Sequence, residues 1–192
     1  PGLMQSSTFV SPVDSDEEVI YTRYGTNPNQ VSLARKYALL EGAEEAVFVA
    51  SGMGATALAH LAVLRPGDHL VSSTWIYGGT QRLFDEQLAR FGIEITYVHP
   101  DKPRGWRKSV RKSTRAIFIE TPTNPLARVI DLGPVAQAAR EFGLVHLVDA
   151  TFAESGSRGS SQSGRVKPAH TPCGTAFAPG CFAAKPGGTG PK

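Results

Sequence analysis

The residues of this sequence best equipped for chemistry are a glycine turn, a tyrosine, an amide and a carboxylate: Ser51-Gly52-Met53-Gly54, Tyr77, Asn124 and Asp149. At the turn, an apolar run over 47–64 breaks and resumes with helical character, which reads as strand, tight turn and helix. Glycine there lets the backbone approach a ligand, and the free N–H groups of the helix start, with the helix dipole behind them, suit a phosphate. The Ser51 hydroxyl adds one more donor. The bland reading is a joint between two core elements. Gly52-Met53-Gly54-Ala55-Thr56-Ala57 also fits the dinucleotide pattern G-x-G-x-x-A, but that use needs an acid at the end of the next strand, and 69–73 ends in hydroxyls. No Lys-Ser/Thr pair follows the glycines, so this is not a P-loop. What remains is a cup for a smaller phosphorylated ligand.

Strands and helices must alternate to position these residues. Residues 1–20 are polar and without a clear period, an extended arm with room for a helix at 14–20. Asn27 (N-cap), Pro28 (N1) and Gln30 (N3) open a helix that runs to Gly42. Strand 46–50 feeds the cup and its helix, Arg65-Pro66-Gly67-Asp68 turns, and strand 69–73 leads to Tyr77-Gly78-Gly79 and a helix reaching Arg90. Residues 93–98 alternate as a strand with one wetter face. The basic stretch 102–115 reads as a solvated helix or loop rather than a nucleic-acid patch, because Trp106 is its only aromatic and apolar strands flank it. A short buried strand, 116–119, precedes the loop Glu120-Thr121-Pro122-Thr123-Asn124-Pro125. Asp131 caps a helix to Phe142, Gly143 ends it, and 144–148 is a buried strand ending at Asp149.

Such alternation implies an α/β fold, a mostly parallel sheet with helices on both faces, and ligands then bind beyond the carboxyl ends of the strands. Ser51-Gly52-Met53, Ser73-Thr74 with Tyr77, the loop from Glu120 to Asn124, and Asp149-Ala150-Thr151 all fall on that rim. Together they can hold a phosphorylated heteroaromatic ring. Taken singly, Tyr77 is a helix-start packing residue, Asn124 a turn former and Asp149 an N-cap; their joint position favours the site.

The chain has 192 residues, 41% apolar and 19% charged, enough for one domain with a sizeable core, and its net charge of +3 demands no polyanionic partner. No apolar run is long enough to cross a bilayer and no basic-then-apolar signal opens the chain, so the expectation is a cytoplasmic protein without membrane or nucleic-acid partners. A start at Pro1 suggests that the natural beginning is missing. Cys173 and Cys181 argue for no disulfide, and no metal site is expected. The units expected are an arm and helix over 1–45, an incomplete α/β domain over 46–153, and a Gly/Ser/Pro/Ala tail over 154–192 that is disordered or miscoded.

Tyr21-Thr22-Arg23, Asn27-Pro28, Ser51-Gly52-Met53, Tyr77-Gly78-Gly79-Thr80, Glu120-Thr121-Pro122-Thr123-Asn124-Pro125 and Val148-Asp149-Ala150-Thr151-Phe152-Ala153, in this order, resemble the trans-sulfuration family of pyridoxal-phosphate enzymes. That family includes cystathionine γ-synthase, cystathionine γ-lyase, methionine γ-lyase and O-acetylhomoserine sulfhydrylase. The resemblance implies an aspartate-aminotransferase-like type I fold, here truncated, with pyridoxal 5'-phosphate as cofactor. It implies that Gly52 and Met53, with Ser51, bind the phosphate, that Tyr77 stacks on the ring and takes part in proton transfer, and that Asn124 approaches the phenolic oxygen. Asp149 would pair with the ring nitrogen, Thr151 lies on the same rim, and Tyr21 and Arg23 would reach a neighbouring subunit's phosphate in a homodimer or homotetramer.

Two departures accompany the resemblance. Ala150 stands where the family has Asn. The family's Ser-x-Thr-Lys segment, about two dozen residues after the aspartate, supplies the Schiff-base lysine, and here that region reads Pro172-Cys173-Gly174-Thr175. The expected function is therefore a trans-sulfuration enzyme acting on an amino-acid substrate by γ- or β-elimination or replacement. This chain would be its inactive N-terminal portion, lacking also the domain that grips a substrate carboxylate. A non-catalytic truncated product is the alternative, and a nicotinamide oxidoreductase a remote one.

Overall fold

The computed structural model describes residues 2–10, 19–153, 174–178 and 181–184. Helix α1 (Pro28–Glu41) starts where Asn27 accepts the Asn29 N–H at 2.9 Å and stops at Gly42, left-handed with φ 59°. Strand β1 (Glu45–Phe48) leads to α2 (Gly52–Val63), and β2 (His69–Ser73) to α3 (Gly78–Arg82). A wider π turn over Leu83–Leu88 and a 3-10 turn over Ala89–Phe91 continue α3, where the sequence suggests a single helix to Arg90. Then come β3 (Glu94–Val98), α4 (Pro103–Lys108), β4 (Thr114–Glu120), α5 (Gly133–Glu141) and β5 (Val145–Asp149). Asp131 Oδ1 accepts the Gly133 N–H at 2.9 Å at the start of α5, and Gly143 follows the helix with φ 64°.

With β6 (Gly174–Ala178) and β7 (Cys181–Ala184), the sheet runs β1-β7-β6-β5-β4-β2-β3, with β3, β2, β4, β5 and β6 parallel and β7 antiparallel to both β6 and β1. Successive side chains of a strand point to opposite faces, and the core divides accordingly. Leu70, Ala116, Phe118 and Leu147 pack with Ala55 and Ala59 of α2 and with Phe84 and Leu88 on one face. On the other, Val71, Ile117, Ile119 and Val148 pack with Trp106 of α4 and Val135, Ala138 and Ala139 of α5. The expected two-faced α/β arrangement is present. An aromatic group of His60, Phe84 and Phe118, with edge contacts of 4.7–5.4 Å, anchors the α2 face.

Two differences from the sequence reading stand out. Strands β6 (Gly174–Ala178) and β7 (Cys181–Ala184) lie inside the stretch read as a structureless tail. Their small residues carry no period; they are placed by long-range backbone pairing, β6 on the edge of β5 and β7 on β1. The expectation for 154–173, 179–180 and 185–192 falls outside the described residues, as does most of the helix considered at 14–20. The second is Trp106, in a basic stretch that otherwise forms the solvated helix and loop expected of it. Trp106 is fully buried, while Arg107 pairs with Glu141, Arg111 with Glu94 at 2.6 Å and Arg115 with Asp68 at 3.2 Å. No helix of the described residues is long and apolar enough to cross a membrane.

Candidate functional site

A cavity of about 200 Å³ opens at the carboxyl ends of β2, β4 and β5, lined by Gly52, Met53, Tyr77, Asn124, Asp149 and Thr151 together with Ala55, Thr56, Thr80, Glu120 and Phe152. Six of the residues singled out from sequence therefore meet in one place. Three do not line it. Ser51 is the N-cap of α2, and its hydroxyl accepts the Gly54 N–H at 3.0 Å. Tyr21 and Arg23 sit on the N-terminal segment, the guanidinium 5.9 Å from the Tyr21 ring centre, and Tyr21 bridges to Thr8 of the arm.

The local chemistry explains how each liner is held. In α2 the first intrahelical bond is Ala55 N–H to Ser51 O at 3.0 Å, and Ser51 takes Gly54. The Gly52 and Met53 N–H groups are left without a partner among the described residues, at the positive end of a 12-residue helix. Thr56 turns its hydroxyl back to Gly52 O at 3.1 Å. Tyr77 is half exposed over the cavity, and a Cβ added at Gly79 would come within 2.4 Å of its ring, so glycine lets the ring lie where it does. The 121–130 loop is tied at its root by Thr121 N–H to Asp149 O (2.9 Å) and by Ile130 N–H to Thr121 Oγ1 (2.9 Å). Asp149 Oδ1 accepts both the Thr151 N–H (2.9 Å) and the Thr151 hydroxyl (2.6 Å).

Glu120, to which the sequence reading assigns no role, is the residue with the most altered acidity on this rim. Burial raises its carboxyl to about 7, main-chain hydrogen bonding from Tyr77 lowers it, the charge of Asp149 raises it and the Asn124 main chain lowers it. A signal for it exists in sequence: the apolar runs Ala116-Ile117-Phe118-Ile119 and Leu144-Val145-His146-Leu147-Val148 each end in an acid. The nicotinamide alternative loses its footing here. The hydroxyls ending β2 are used internally, Ser72 Oγ toward Ser73 O at 3.1 Å and Ser73 Oγ accepting Trp75 N–H at 3.0 Å.

As a whole the cavity offers unpaired N–H donors at a helix start, a ring, an amide and a buried acid, and no lysine lines it among the described residues. That set suits the phosphate, the ring face and a protonated ring nitrogen of pyridoxal 5'-phosphate, and supplies no amine for a covalent link.

Comparison with known proteins agrees. The family described as Cys/Met metabolism PLP-dependent enzyme matches residues 1–157. The O-acetyl-L-homoserine sulfhydrylase of Corynebacterium glutamicum is 41% identical over 135 residues, 70% of this chain and 31% of that protein. Among solved structures, cystathionine gamma-lyase from Lactobacillus plantarum, complexed with L-serine, superposes with a TM-score of 0.73 at 31% identity, covering 78% of this chain and 39% of that one. A Campylobacter jejuni chain solved with N'-pyridoxyl-lysine-5'-monophosphate gives 0.75 at 26% identity, covering 88% and 43%. The chain spans 31–47% of the length of the curated relatives it matches. With its motifs, its sheet order and its rim all in agreement, the chain belongs to the family of PLP-dependent enzymes of Cys/Met metabolism.

Proposed function

We propose that the cavity takes pyridoxal 5'-phosphate and that the chain carries part of the cofactor-binding domain of a trans-sulfuration-type enzyme, one acting by γ- or β-elimination or replacement on cystathionine, methionine or an activated homoserine. When bound, the cofactor supplies an electron sink for a substrate carbanion. The chain's own residues do the holding. The Gly52 and Met53 N–H groups bind the phosphate; the Tyr77 ring covers the cofactor ring and its hydroxyl serves proton transfer. Asn124 meets the phenolic oxygen. Asp149, fixed by Thr151, keeps the ring nitrogen protonated. Tyr21 and Arg23 serve the phosphate of a neighbouring subunit, so the cofactor-competent form is a homodimer or homotetramer.

The observation that carries this reading is Asp149, 7% exposed at the cavity with the neutral Thr151 as its only side-chain partner among the described residues. A buried carboxylate without a countercharge costs several kcal/mol, and a protonated ring nitrogen supplies that charge. With no lysine among the described cavity residues, the chain as given is a cofactor binder without turnover, and a non-catalytic product is the second reading.

Equilibrium dialysis with pyridoxal phosphate tests the site. Asp149→Ala weakens retention, while Asp131→Ala leaves it unchanged and costs about 1 kcal/mol of stability, the worth of a helix cap. Equal affinity in the two variants removes Asp149 from the site. Tight binding by a species that sediments as a monomer removes Tyr21 and Arg23.

A further inference from the structure

Glu120 ends β4 where Asp149 ends β5, and the two are paired in register on adjacent parallel strands. Both share the strand parity of Phe118 and Leu147, which face α2, so both carboxyl groups turn to the cavity they line. Glu120 is 2% exposed. Its Oε2 accepts the Tyr77 main-chain N–H at 2.6 Å, and the Asn124 main chain acts on the same carboxyl group to lower its pKa. One side chain on a rigid strand thus joins the two irregular segments that carry the ring and the amide.

Resting on the reading of the cavity as a cofactor pocket, we infer that Glu120 is a positioning residue: its carboxyl group is the shared anchor that sets the Tyr77 ring and the Asn124 amide around the bound cofactor ring, while Asp149 alone meets the ring nitrogen. A carboxyl group suits the task because it has acceptor capacity for two N–H donors at once. The groups facing it are Asp149 from β5, the Tyr77 N–H from the turn after β2, and the Asn124 main chain from the 121–130 loop. Burial and the neighbouring acid bring its ionisation to about 7, so the anchor changes charge near neutrality.

Amide hydrogen exchange on the full chain, without added cofactor, reads the anchor directly. Glu120→Ala speeds exchange at the Tyr77 amide roughly tenfold or more, the scale of a lost hydrogen bond to a charged group, while the Leu147 amide in β5 keeps its protection. Glu120→Gln, which keeps an oxygen acceptor, restores most of the protection. Unchanged Tyr77 exchange in Glu120→Ala overturns the inference, as does a Glu120→Gln variant as fast as Glu120→Ala. Should Glu120→Ala not fold, the wild-type chain decides: its Tyr77 amide exchanges as slowly as a hydrogen-bonded amide, and exchange at the rate of an unbonded, solvent-exposed amide overturns the anchor. Dialysis with pyridoxal phosphate separates this inference from the reading beneath it. No binding by the wild-type chain refutes the cofactor pocket itself. Wild-type binding with undiminished affinity in Glu120→Ala refutes the positioning role alone; the expected loss is about tenfold.

Discussion

The two ends of the same parallel strands treat buried polar groups in opposite ways. At the amino end, His69 of β2 is fully buried, with one ring nitrogen 2.8 Å from Thr114 Oγ1 of β4 and the other 2.8 Å from Thr96 Oγ1 of β3. Arg111 closes the cluster, its main-chain N–H on Thr114 Oγ1 at 2.7 Å and its guanidinium on Glu94 at 2.6 Å and Thr96 at 3.2 Å. Burial, then the charge of Arg111, holds His69 below its ordinary acidity range. At the carboxyl end, two acids stand in register beside a cavity with no cation among its described liners. A satisfied cluster contributes stability; an acid pair short of a countercharge withholds it until a ligand arrives. The amino end is a clamp and, on the function proposed above, the carboxyl end a receptor.

Paired variants break this contrast most forcefully. His69→Ala removes two buried hydrogen bonds and opens a hole, costing about 2–4 kcal/mol in urea unfolding, with pyridoxal-phosphate affinity per folded molecule unchanged. Asp149→Ala does the reverse: stability is held or raised, and affinity falls roughly 30- to 100-fold for a lost charge-assisted contact. Equal stability losses at the two ends contradict the division.

Acid sharpens the comparison. Burial brings His60 down to about 4, partly offset by the Thr56 carbonyl, and brings His146 to about 4 with help from Arg140. The unfolded chain takes up these protons near 6.5 and the folded chain only near 4, so their contribution is whole above about 6.5 and is lost as pH falls toward 4, on the order of 3 kcal/mol per histidine across the window. Glu120 runs the other way. Its folded carboxyl protonates near 7 against an ordinary 4.5, so acidification through that range favours the folded form. Urea midpoints against pH fall on acidification, and Glu120→Gln makes the fall steeper; an unchanged slope in that variant disproves the raised pKa of Glu120.

The smallest effect expected is at Gly79. An added Cβ meets the Tyr77 ring, which is half exposed and free to swing away, so Gly79→Ala keeps its stability and loses only a few-fold in affinity for pyridoxal phosphate. A stability loss as large as that of His69→Ala would mean that the ring is part of the core.

Local signals made much of this readable in the sequence. Asn27 and Gly42 delimit α1 as expected from their types, and the apolar runs of β2, β4 and β5 fall within a residue or two of where they were read. The rim was legible because parallel strands deliver their carboxyl ends to one side, which gathers Gly52, Met53, Tyr77, Asn124, Asp149 and Thr151. What escaped depends on partners distant in the chain. Glu120 acquires its meaning only from cross-strand register with Asp149 and from the Tyr77 N–H, 43 residues away. Strands β6 and β7 exist through pairing with β5 and β1 rather than through any period of their own. Trp106 is a core residue inside a basic segment whose charges conceal it. Ser51 has a second use that the sequence reading does not name: its hydroxyl accepts from Gly54 as a helix cap, which leaves its O–H to donate.

The most direct test of the contrast between the two ends is a map of backbone amide shifts as pyridoxal phosphate is added to the full chain. The account predicts saturable shifts at Gly52, Met53, Tyr77, Asn124 and Thr151, and none at His69, Thr96 or Thr114. Saturable binding that moves the amino-end amides, or that leaves Gly52 and Met53 still, would contradict it.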